Sequence, residues 1–182
     1  MYDNSISIEQ DEAKIRKLED EGKTAVLLAI NGRLNGMIAV ADTIRESAKQ
    51  VVHDLIGMGL DVIMLTGDNQ RTANAISRKL GIRTSISEVL PNQKVAVVKN
   101  FQDEGKNVAM VGDGINDAPA LAQANVGIAL GSGTDVAVDA GGIVLIKDDL
   151  RDVVFSIQLS RKTMSKIKQN LFWAFSWNQL KK

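Results

Sequence analysis

Between residues 60 and 146 one pattern repeats: a short apolar run, a polar loop carrying glycine, then a return to helical periodicity. LDVIML (60–65) runs into TGDN, and a helix over 69–80 follows, closed by Gly81. The apolar run at 107–111 stops at GDGINDAP (112–119), after which apolar residues resume. Further strand-like runs lie at 125–130 and 142–146. Such alternation admits few folds. Strands that alternate with helices form a parallel sheet buried on both faces. The expected fold class is therefore α/β, a doubly wound, mainly parallel Rossmann-like sheet. Ligands of such sheets bind at the carboxyl ends of the strands, where these loops fall.

The flanks are of another kind. Residues 10–21 read as a short helix ended by Gly22, with Ile15 and Leu18 on one face. TAVLLAI and LNGMIAVA, separated by Asn31-Gly32, predict a β-hairpin. A helix over 43–58 follows, and Pro91 opens another, at a position where its missing N–H costs nothing. A long helix starts near Asp149 and runs through SRKTMSKIKQ into NLFWAFSWNQL. That aromatic stretch is about half of the ~20 residues that span a bilayer. A basic flank before aromatic residues is nevertheless how a transmembrane helix enters from the cytoplasmic side, and an amphipathic docking helix is the other reading.

Composition narrows the chemistry. Lys+Arg and Asp+Glu balance at 22 each, so no global field points to nucleic acid. The absence of cysteine excludes disulfides, thiolate nucleophiles and cysteine metal sites in this chain. The polar, acidic start MYDNSISIEQDEAK does not have the pattern of a signal peptide.

Three loops carry the candidate site. Thr66, Gly67 and Asp68 offer a hydroxyl, a flexible glycine and the free N–H groups of a helix start, which suit a phosphate. A plain helix cap by Asp68 or Asn69 is the alternative. Lys94 falls in the first turn of its helix, where the helix dipole disfavours a cation by roughly 0.3–1 kcal/mol. A nearby phosphate would reverse that sign, whereas a solvated lysine needs no such partner. In the third loop Asp113 and Asp117, with the amide of Asn116, form an oxygen donor set of the kind magnesium takes. Gly112 and Gly114 permit close backbone approach there.

Together, TGDN, PNQK and VGDGINDAPALAQANVGIALGSGTDVA resemble the phosphorylation domain of P-type ATPases, within the haloacid-dehalogenase-like superfamily. GMIAVADTIRESA and IKQNLFWAF resemble the heavy-metal branch, the copper exporters most closely, and the resemblance covers about Gly22 to Asn178. It implies that Asp113 and Asp117 hold Mg2+ and that Asn116 orders the site. It implies also that Thr66, Gly67 and Asp68 meet a phosphoryl group whose charge Lys94 stabilises. Asp42 and Arg45 match the hinge element. Residues 1–41 would end a nucleotide-binding domain, 42–158 would form the phosphorylation domain, and 159–182 a linker and the start of a transmembrane helix. The implied setting is the cytoplasmic face of a membrane, with ATP as phosphoryl donor, Cu+ as cargo and the remaining ATPase domains as partners.

The resemblance is incomplete. The family's nucleophile motif, Asp-Lys-Thr-Gly-Thr, does not occur. Lone His53 precedes Asp54 and does not match the family's His-Pro dipeptide, and Trp177-Asn178 stands where the copper branch has Tyr-Asn. The expectation is thus the C-terminal cytosolic portion of a copper-type ATPase, inactive by itself. Two alternatives stay open: a stand-alone phosphatase with Asp42 as nucleophile, and a non-catalytic regulatory module. By resemblance the missing motif ends the central strand, so the strands at 60–65 and 107–111 are expected to pair directly, or to take in the hairpin strand 36–41, with dimerisation next.

Overall fold

The computed structural model describes residues 6–41, 43–112, 116–131, 142–147 and 149–180, with side chains through Ser176. Asp42 and Asp113 lie outside the described residues.

Helix α1 (Glu12–Asp20) buries Ile15 and leaves Lys14, Arg16, Lys17 and Asp20 exposed, while Glu19 is largely covered. Strands β1 (Thr24–Ile30) and β2 (Arg33–Val40) form the expected antiparallel hairpin. Its turn residues Asn31 and Gly32 both have positive φ, 51° and 75°, which is the conformation a tight two-residue hairpin needs. The α/β part follows as α2 (Glu46–Gly57), β3 (Ile63–Leu65), α3 (Gln70–Leu80) and β4 (Thr84–Ile86). A 3-10 turn at Pro91–Gln93 then leads into α4 (Lys94–Asp103). The chain continues through β5 (Ala109–Gly112), α5 (Ala118–Gln123), β6 (Val126–Leu130), β7 (Ile143–Leu145) and α6 (Arg151–Leu180).

β6 explains why this part holds together. Ile128, Ala129 and Leu130 are all buried, as expected of a strand covered on both faces. Ile128 and Leu130 pack with Val153 of α6, and Val111, Ile143 and Leu145 surround them. Ala129 points the other way, to Leu121 of α5 and Met110. Alternate residues of one strand thus anchor two different helices.

All three β3–β7 pairings are parallel, β3 with β4, β5 with β6, and β6 with β7. The expected closure does not occur. Among the described residues β3 pairs only with β4, β5 only with β6, and the hairpin only with itself. The expectation assumed that unpaired edge groups would be buried and so cost about 1–3 kcal/mol each. Instead Ile63, Met64 and Leu65 are only half-buried, and a cavity lined by Ile63, Thr84, Phe101 and Lys106 separates the start of β3 from the end of α4. Water reaches this edge, so the penalty that would force closure is small. β3 is also shorter than the sequence pattern, because the chain at Leu60 is still bonded back to Leu55 at the end of α2.

Helix α6 starts at a polar clasp. The carboxylate of Asp149 accepts the backbone N–H of Arg151 at 2.9 Å and its guanidinium N–H groups at 2.6–3.0 Å. These bonds to Arg151 hold the Asp149 carboxyl down, to about 2. A carboxyl lowered on folding stabilises the fold above its ordinary value and loses that contribution as pH falls through about 2. We expect the first turn of α6 to stay closed at pH 4 and to fray below about pH 2, read from the amide shift of Arg151. A shift that moves near pH 4 would contradict the clasp. Further along, Arg161 donates to the carbonyl of Met58 at 2.9 Å, and from Lys162 to Phe175 every residue is exposed. No helix of the described residues is long and apolar enough to cross a membrane.

Candidate functional site

The three loops singled out in the sequence follow β3, precede α4 and follow β5. The first is tightly built. Thr66 extends the β3–β4 ladder, its N–H donating to Ile86 at 3.0 Å. Its hydroxyl donates to one oxygen of Asp68 at 2.8 Å and accepts the Asp68 N–H at 3.1 Å. Glu88 N–H donates to the carbonyl of Asp68, and Val89 N–H to that of Thr66, so the loop is pinned from below. Gly67 passes the Val89 carbonyl closely enough that a Cβ would sit 3.5 Å from it.

The cap at this helix start belongs to Asn69, whose side chain accepts the Thr72 N–H at 3.0 Å. That settles which of the two candidates caps α3. Asp68 is left with hydroxyl partners, Thr66 and, at 3.3 Å, Thr24 of β1.

Lys94 is not a solvated lysine. Its side chain is 17% exposed and its ammonium donates to Asp117 Oδ1 at 2.6 Å. The 3-10 turn at Pro91–Gln93, fastened by the Leu90 N–H to the Gln93 side chain at 3.0 Å, sets the start of α4 so that Lys94 points at the next loop. Asp117 stands at the N-terminal end of α5 but makes no side-chain cap there. Its carboxylate turns to Lys94 instead and is 12% exposed. It also lies against Gly112, where a Cβ would come within 2.7 Å of Asp117 Oδ2. The glycine at the end of β5 is therefore required by the carboxylate beside it, a contact the sequence shows only as a glycine-rich loop.

Asn116 sits in the turn before α5 and is exposed. Asp113 lies outside the described residues, and among those described no three carboxylate or imidazole groups converge on one point. His53 is exposed on α2 beside Asp54, as a solvated helix residue. The structure thus brings together Thr66, Gly67 and Asp68 as one unit, and Lys94 with Asp117 as another. The stretch from Val89 to Lys94 links the two. Sequence reasoning missed Thr24: 44 residues separate it from Asp68, and no local pattern signals such a contact.

Chemically, the hard oxygens of the nearly buried Asp117 carboxylate suit Mg2+, which would compete with the Lys94 ammonium for that carboxylate. The hydroxyl, glycine and helix start of the first loop suit a phosphate oxygen.

A family model for haloacid dehalogenase-like hydrolases matches residues 2–125. The chain is 60% identical over 179 residues to a probable copper-exporting P-type ATPase of Archaeoglobus fulgidus, covering 98% of this chain and 22% of that protein. It is 54% identical over 160 residues to copper-transporting ATPase 2 of Homo sapiens, 88% of this chain and 11% of the human protein. A crystal structure of a zinc-transporting PIB-type ATPase in the E2.Pi state superposes with a TM-score of 0.73 at 41% identity, over 91% of this chain and 27% of that one. The chain therefore spans about a fifth of the archaeal relative or less of the human one. With its parallel α/β architecture and these likenesses, the chain belongs to the haloacid dehalogenase-like hydrolase family and, within it, to the copper-type P-type ATPase domains.

Proposed function

We propose that this chain supplies the magnesium- and phosphate-handling half of the phosphorylation site of an ATPase that couples ATP hydrolysis to export of Cu+. The observation that carries the reading is the Lys94–Asp117 pair at 2.6 Å, linked through residues 89–94 to the Thr66-Gly67-Asp68 loop. In this reading Asp117, with Asp113, holds Mg2+, Asn116 orders that loop, and Lys94 and Thr66 to Asp68 meet the phosphoryl oxygens. Bound Mg2+ would neutralise charge on a transferring phosphoryl group. Residues 1–41 act as the end of a nucleotide-binding domain, 42–158 as the phosphorylation domain and 159–182 as linker and start of a transmembrane helix. The chain works at the cytoplasmic face of a membrane with the other domains of the ATPase. The copper names of its relatives support Cu+ as the cargo.

Isothermal titration tests the site. Wild type is expected to bind Mg2+ weakly, and more tightly with inorganic phosphate present. Asp113→Asn and Asp117→Asn should each weaken binding about tenfold or more, since even groups behind the metal ligands are worth that much. Equal affinity in all three proteins sinks the assignment. Labelled ATP should leave no acid-stable phosphate on the chain, which carries no Asp-Lys-Thr-Gly-Thr. Turnover of an aryl phosphate that vanishes in Asp42→Asn would replace this reading with a phosphatase.

A further inference from the structure

Helices α4 and α5 carry the two halves of the charged pair, Lys94 in the first turn of α4 and Asp117 at the head of α5. A second contact joins the same helices at their other ends. Gln102 Nε2 donates to the Gln123 carbonyl at 3.0 Å and to Asn125 Oδ1 at 3.1 Å. Gln123 Nε2 donates back to Gln102 Oε1 at 2.8 Å. Asn125 Oδ1 also accepts the Val108 N–H at 2.8 Å, just before β5. Three side-chain amides thus tie the last turn of α4 to the end of α5 and to the starts of β5 and β6.

The two contacts fix one register. The bonded residues are 23 apart in sequence at the charged end and 21 apart at the amide end. With a nearly constant offset, α4 and α5 run side by side in the same direction. Lys94, Val98 and Gln102, four residues apart, share one face of α4, and Val98 between the two polar residues is buried. On α5, Ala120 and Leu121 between Asp117 and Gln123 are buried as well. Such apolar burial is non-directional and by itself would let α4 turn or slide. A slip of one residue turns a helix by about 100° and moves it by about 1.5 Å, which would carry Lys94 away from Asp117. The same slip would strip the Gln123 carbonyl, an orphan acceptor at the end of α5, of its donor. Gln102 donates twice and accepts once here, which a carboxylate cannot do.

We propose that Gln102, Gln123 and Asn125 are positioning residues for the site described above. They form an amide brace that sets the register of α4 on α5 and so holds Lys94 beside Asp117, from about 12 Å along the helix. The inference rests on the Mg2+ and phosphate reading of Lys94 and Asp117, and adds what holds those two groups in place.

Three variants of the full chain test it. Gln102→Met keeps the length of the side chain and removes all three of its bonds, whereas Gln123→Ala removes only the bond its amide donates. Asn125→Asp keeps an oxygen for both bonds accepted there. Read without ligand, the Lys94 ammonium resonance is expected to shift in Gln102→Met, to shift less in Gln123→Ala, and to keep its wild-type position in Asn125→Asp. With inorganic phosphate present, Gln102→Met should bind Mg2+ about tenfold more weakly than wild type, the scale of effect of groups that orient metal ligands. Asn125→Asp should bind it as wild type does. A merely structural brace would lower the urea midpoint of Gln102→Met yet leave the resonance and the affinity of the folded protein at wild-type values, and that result overturns the proposal. Should Gln102→Met fail to fold, the Gln123→Ala resonance decides in the same way. Mg2+ binding by none of the proteins, wild type included, removes the site reading, while the Lys94 resonance still decides whether the brace holds the pair.

Discussion

The Gly112→Val protein is expected to lose Mg2+ binding and to unfold at markedly lower urea concentration than wild type. A Cβ at this position would stand 2.7 Å from both Cβ and Oδ2 of Asp117, so the added side chain and the carboxylate cannot both keep their places. Asp117 is the head of α5 and is anchored by the Leu121 N–H on its carbonyl at 2.8 Å, so the backbone around it yields only with the helix. The alternative is that the carboxylate swings away and leaves Lys94, itself 17% exposed, without its partner. Overpacking costs typically about 1–3 kcal/mol, and stranding one member of a buried pair about 3–5 kcal/mol. The loss should therefore reach about 3 kcal/mol, with Gly112→Ala smaller but of the same sign. Wild-type stability together with an undisturbed Lys94 ammonium resonance would show that the approach of Gly112 to Asp117 is not what fixes this loop.

The second large effect lies away from the site. Ile128→Ala is expected to destabilise the chain by about 2–5 kcal/mol, the usual range for such a truncation in a packed core. Ile128 is 1% exposed and joins the β5–β6–β7 ladder to Val153 of α6. Against a total of ~5–15 kcal/mol for an ordinary domain, that loss leaves little. The control sits two residues away on the same strand: Val126 is 40% exposed, and its alanine variant should change the urea midpoint far less. Equal effects at the two positions would mean that β6 is not the strand on which the helices are packed.

The order of helices and strands was legible because each apolar run is bounded by a residue that stops it. Gly22, Asn31-Gly32, Gly81 and Pro91 all act in the structure as they read in the sequence. The loops themselves were legible as loops for a related reason: glycine, asparagine and aspartate gathered after an apolar run are the residues that turns favour. What was not legible is how these pieces meet. Lys94 reads as a solvated lysine until α4 is set on its 3-10 turn and pointed at Asp117, 23 residues on. The cap on α3 could have been Asp68 or Asn69 by residue type alone, and only the geometry gives it to Asn69. The pairing of strands failed for a physical reason. The expectation treated the edges of β3 and β5 as buried, whereas Ile63 to Leu65 are half-exposed and do not need each other. Long-range contacts such as Thr24 to Asp68 leave no periodic trace at all.

The way α6 leaves the body has a mechanical consequence. Val153 and Val154 are buried at its root, and the bond from Arg161 to Met58 is its last described hydrogen bond to the body of the fold. At 1.5 Å per residue, the stretch from 162 to 180 reaches about 28 Å beyond that point as one continuous helix. A stiff rod clamped at one end is a lever. A tilt of about 10° at the root carries the far end through roughly 5 Å, given that length. The root packs on the same β6 whose neighbour β5 ends at Gly112. The root of that lever therefore sits one strand away from the glycine against which the Asp117 carboxylate lies.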